Sequence, residues 1–105
     1  MSFDISHKDF PVGTVVLTSW DGTEYGETNE AVTEYRVTDK TVAVLFDNNG
    51  NVCGMVDNFG IAMSHIHDGQ GVALALKGDD FGSSIEDSQA QFDTARAHYV
   101  DNFGI

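Results

Sequence analysis

Two histidines one residue apart, His65 and His67, followed at once by Asp68, are the residues whose types and spacing come nearest to a reaction centre. On an extended strand, side chains at i and i+2 leave the same face about 6–7 Å apart at Cα, so two imidazoles there could share a metal ion. His7 and His98 could close such a site only if the fold brings them near. The competing reading is a pair of surface or half-buried histidines at the end of a strand. Cys53 is the one thiol, so no internal disulfide can form, which fits a reducing compartment. Inside an apolar run it reads as a small buried hydrophobe, not a nucleophile. Asp47-x-Asn49-x-Asn51 begins like a calcium loop, but Val52 stands where the sharp bend needs Gly and Asn58 where a bidentate Glu belongs. A polar turn is the simpler reading. No G-x-S-x-G elbow occurs, and Gly69-x-Gly71 is neither a P-loop nor a dinucleotide fingerprint.

The second constellation is electrostatic. Seventeen Asp and Glu face five Lys and Arg, for a formal charge of −12. Such a field repels nucleic acid and anionic lipid and favours basic partners, and the salt-driven affinity of a DNA binder is out of its reach. Asp21, Glu24, Glu27, Glu30 and Glu34 fall in a stretch without Lys or Arg from Asp9 to Tyr35, bordered by the aromatics Trp20, Tyr25 and Tyr35. Acidity spread for solubility, or a halophilic origin, would also account for the composition. The expectation drawn from the clustering is a non-enzymatic binding protein that docks on a basic surface of a nucleic-acid-handling protein and blocks it by phosphate mimicry. Asp21, Glu24, Tyr25, Glu27, Glu30 and Glu34 would contact that partner, with no cofactor. Carboxylates on one strand face or one helical turn apart stand about 5–7 Å from one another, comparable with phosphates along a nucleic-acid strand.

In size and charge the chain is similar to small acidic phage inhibitors of host defence nucleases. That likeness implies a phage protein working in the host cytoplasm. His65-x-His67 resembles the His-x-His of cupin metal sites, although no Glu lies between His67 and Glu86. Two other classes stay open: a small metal- or ligand-binding β-barrel centred on His65 and His67 with Asp68, and a virion or complex accessory subunit.

The elements that would hold these residues are mostly strands. Residues 41–46 are dense in β-branched and aromatic side chains, apolar on both faces and too short for a stable helix, so they read as a central strand. Asp47-Asn48-Asn49-Gly50 tolerates the positive φ of a tight reversal, and residues 51–56 return, with Gly54 marking a bulge or close backbone approach. Residues 12–20, 31–38, 61–66 and 72–77 read as further strands, and 23–34 as a long exposed loop leading into the second of them. From Ser83 the period changes. Ile85, Phe92, Ala95, Tyr99 and Phe103 recur as one helical face, and Ser83 with Glu86 makes a capping box.

The fold class expected is α+β: a small antiparallel sheet or partly open SH3- or OB-like barrel of five to six strands, with one C-terminal amphipathic helix packed on it. Residues 1–105 would form one domain, strand-rich over 11–77, with an acidic linker at 78–82 and the helix at 83–103. No apolar run reaches bilayer length and the N-terminus lacks a signal peptide's apolar segment, so a cytoplasmic protein is expected. Val56-Asp57-Asn58-Phe59-Gly60-Ile61 recurs letter for letter as residues 100–105, which reads as one local turn module used twice.

Overall fold

The computed structural model describes residues 5–21, 30–79 and 82–103, of which 18–21, 30–33 and 100–103 are described by their backbone alone. A 3₁₀ turn at His7–Asp9 precedes β1 (Val15–Asp21) and β2 (Glu30–Arg36). Then come β3 (Ala43–Asp47), β4 (Val52–Val56), α1 (Phe59–His67), β5 (Gly71–Ala75) and α2 (Ile85–Phe103). The fold is α+β with two antiparallel sheets, β1–β2 and β4–β3–β5, which do not close into a barrel. No helix among the described residues is long and apolar enough to cross a membrane.

β3 is the central strand that its two apolar faces predict. Ala43, Val44, Leu45 and Phe46 are all buried. On one side Ala43 and Leu45 pack with Ala62 and Ile66 of α1, Ala73 and Ala75 of β5, and Phe92 and Ala95 of α2. Phe59 and Phe92 stack there with centroids 5.7 Å apart. On the other side Val44, Phe46 and Leu74 are covered by Phe10, Val52, Met55 and neighbouring apolar side chains, with Phe10 set edge-on to Phe46. Fully burying one of the larger side chains here, such as Phe46, Phe92, Ile66 or Val44, contributes roughly 1.5–3 kcal/mol, so among the described residues this sheet carries the bulk of the apolar driving force.

The turn after β3 is built as its residues suggest. Asp47 N–H donates to Asn51 and Gly50 N–H to Asp47, with Gly50 at φ 85° supplying the left-handed residue. The Asp47 carboxylate accepts from the N–H groups of Asn49 and Asn51, so it is occupied in shaping the turn. The β3–β4 register slips between Leu45, opposite Gly54, and Phe46, opposite Val52. Cys53 is the extra residue of that bulge.

Two expectations fail here. Residues 61–66 are not a sixth strand but most of α1. Asn58 caps that helix, its Oδ1 accepting from the N–H groups of Gly60 and Ile61. Phe59, Ala62, Met63 and Ile66 then recur at helical spacing on the core side. A six-residue apolar run fits either period, and the cap decides it. The cap of α2 is also displaced by one residue: Ser84 Oγ, not Ser83, accepts from the N–H of Asp87. Ser83 instead donates its N–H to Asp79.

The repeated hexapeptide does not form one module twice. Its first copy ends β4, caps α1 and makes that helix's first turn, with Asn58 extended at φ −142°. In the second, residues 100–103 are the last turn of α2. Residues 104 and 105 lie outside the described residues.

The sheet's outer edges are met by side chains. β5 is an edge strand, and α2 lies along it. Gln89 Oε1 accepts from the N–H of Ala75 and Gln89 Nε2 donates to the carbonyl of Ala73, at 2.8 and 3.2 Å. Two turns on, Arg96 donates to the carbonyl of Gly71 and to Asn48 Oδ1. A side-chain amide thus takes the place of a neighbouring strand's peptide group. Gly71 permits the close passage at this corner: at φ 152°, a Cβ there would overlap the Phe46 carbonyl.

Candidate functional site

The histidine pair is not a shared site. His65 and His67 lie in the last turn of α1, where residues two apart point about 200° around the axis from each other. His65 is buried at 7% exposure and its Nε2–H donates to the Phe46 carbonyl at 2.9 Å, tying α1 to the central strand. His67 and Asp68 are exposed. Among the described residues no group of three or more His, Cys, Asp or Glu could hold a metal ion. Position in a helix, not a strand, is the reason the expected geometry is absent.

Cys53 is exposed, against expectation, because the bulge turns it out of the apolar alternation. Partial desolvation, and after it the Asp47 carboxylate, push its thiol pKa above the ordinary value, which keeps the thiolate scarce. It is a poor nucleophile.

The acidic stretch falls on the β1–β2 hairpin. Strand pairing is continuous from Val15 opposite Arg36 to Asp21 opposite Glu30. Gly13 and Val37 extend it below, their N–H groups donating to the carbonyls of Val37 and Thr14. Two antiparallel strands alternate faces in step, so Val15, Leu17, Ser19 and Asp21 share one face with Arg36, Glu34, Val32 and Glu30. Val16 and Tyr35, opposite each other, are half-buried on the second face. There the Tyr35 hydroxyl donates to the Cys53 carbonyl at 2.9 Å, fastening the hairpin to β4.

Three of the six residues expected to touch a partner, Asp21, Glu30 and Glu34, therefore occupy one face of one hairpin. Asp21 and Glu30 are cross-strand partners, where like charges disfavour pairing. Glu34 is exposed and forms an ion pair with Arg36 at 3.0 Å. At that exposure the pair contributes only about 0–1 kcal/mol, and it neutralises the one cation on the face. Glu24, Tyr25 and Glu27 lie outside the described residues, in the segment between the paired Asp21 and Glu30. Tyr35 serves packing, through its hydroxyl bond to β4.

Sequence reasoning missed Gln89 and Arg96, which look like ordinary solvent-facing helix residues. Their spacing of seven around the buried Phe92 was the available signal. It also missed Ser88, whose fully buried hydroxyl has no hydrogen-bond partner among the described residues. No protein-family model, curated protein or solved structure matches the chain.

Proposed function

We propose that the chain is a non-enzymatic acidic binding protein whose β1–β2 hairpin docks on the basic surface of a nucleic-acid-handling protein and blocks it as a phosphate mimic. The observation that carries this reading is the register of Asp21 against Glu30, on the face that also holds Glu34. Directly opposed carboxylates weaken strand pairing, and a general need for solubility would not concentrate them there. Between them in the chain come Glu24 and Glu27, with no Lys or Arg until Arg36. As cross-strand partners Asp21 and Glu30 stand about 5 Å apart at Cα, a separation comparable with neighbouring phosphates, and Glu34 follows about 13 Å further along β2. The similarity to phage inhibitors of host nucleases in size and charge suggests such a target.

The test replaces Glu24, Glu27, Glu30 and Glu34 together with Gln. Binding to the partner recovered from the native host should be abolished at low salt, with the unfolding transition intact. Full binding by the quadruple variant would remove the proposal. A nucleic-acid oligomer should compete with the wild-type chain for the same surface.

A further inference from the structure

Five large hydrophobic side chains are strongly exposed among the described residues, and three of them, Val12, Val15 and Leu17, lie within six positions of one another. Val12 is 68% exposed in the Pro11–Thr14 turn that leads into β1. Val15 at 41% and Leu17 at 65% are on the hairpin face that Tyr35 does not fasten to β4. Opposite them stand Arg36 and Glu34, joined as an ion pair. Along one face, then, run the exposed Val15 and Leu17, a charge-compensated pair, and an acidic end at Asp21 and Glu30.

We infer that this whole face is the docking surface, and that its partner is a basic protein carrying an apolar patch beside its positive charge. The inference rests on the proposed function and specifies the partner's chemistry. Charge complementarity selects the occupant. A second copy would bring the same acids and the same −12 net charge against this face. A nucleic acid or an anionic lipid would meet no uncompensated cation on it, since Glu34 holds Arg36. A basic protein meets both halves: desolvated apolar contact at the base of the hairpin, and opposite charge toward its acidic end. Interfaces are commonly built this way, with an apolar centre that supplies affinity and a charged rim that supplies orientation and rate. Phosphate mimicry alone accounts for the acids but not for Leu17.

Two synthetic peptides of equal length and equal positive charge serve as probes, one of Lys and Ser, the other of Lys and Leu in amphipathic order. Each is titrated into the full chain at physiological salt by calorimetry and in ¹H–¹⁵N spectra. The Lys/Leu peptide should bind roughly tenfold more tightly, as expected for one well-buried Leu contact. It should perturb the amides of Val15, Leu17, Glu34 and Arg36. Leu17→Ser should erase the preference while leaving binding of the Lys/Ser peptide unchanged. Leu17 is exposed enough that the variant should unfold at the wild-type denaturant midpoint. Equal binding of the two peptides, or a preference that survives Leu17→Ser, would overturn the inference and leave the acidic mimic standing. Binding of neither peptide, even at low salt, would bring down the proposed function with it. A homodimer in sedimentation that Leu17→Ser dissociates would give the face to a second copy and overturn the partner named here.

Discussion

β3 and β1 are written in nearly the same residues and are used in opposite ways. Ala43-Val44-Leu45-Phe46 is buried on both faces, while in Val15-Val16-Leu17 the first and third side chains stand in solvent. The difference lies in what covers each strand. β3 has a paired strand on either side, two helices on one face and Phe10 on the other. The hairpin has one fastened face, held by Tyr35, and one open face. A strand's composition thus sets its tendency to pair, and its neighbours set whether it becomes core or surface.

The comparison can be broken most severely from the core side. Phe92→Ala, which removes the ring stacked on Phe59 and leaves a cavity, should cost about 3–5 kcal/mol in urea unfolding. Leu17→Ala on the open face should stay within about 0.5 kcal/mol of wild type. Similar losses for the two would mean that the hairpin is part of the core after all.

A smaller effect sharpens the contrast at the sheet edges. Gln89→Ala strips the amide from Ala75 N–H and Ala73 C=O and should cost about 1–3 kcal/mol. Sedimentation should then show concentration-dependent association through β5, as an uncovered edge recruits another strand. Smallest of all, Tyr35→Phe loses a single exposed hydroxyl bond to Cys53, about 0.5–1.5 kcal/mol. Amide exchange should quicken in β1 and β2 while β3 and β5 keep their protection. A uniform rise across both sheets would show the two opening as one unit.

The same contrast separates what could be read from the residues from what could not. The β3–β4 hairpin was legible because an apolar run with two greasy faces, an Asn-Gly reversal and a strand glycine all favour one geometry. The long helix was legible from Ile85, Phe92 and Ala95, although its cap sits one residue later than the Ser83 box suggests. α1 was not, since its apolar run is short and its decisive signal is Asn58, which serves turns and caps alike. On a strand His65 and His67 would share one face; in α1 they do not, and the geometry a shared metal needs goes with it. Alternation along 31–38 sets Glu34 and Arg36 on the opposite face from Tyr35 and Val37, and in the structure the first two are exposed while Tyr35 is half-buried and Val37 buried. Pairing of Asp21 with Glu30 was hidden, because register depends on which strand the chain chooses as partner. Local pattern does not record that choice. The hexapeptide makes the same point within one molecule: a helix cap in one place is a helix's last turn in another.

Gln89 and Arg96 guard β5 from an element that follows it in the chain. During synthesis on the ribosome, β3, β4 and β5 have all emerged while the residues that screen their outer strand are still inside the exit tunnel. For that interval the nascent sheet has a bare flank, and a neighbouring polysome product with the same sequence offers it a matching strand.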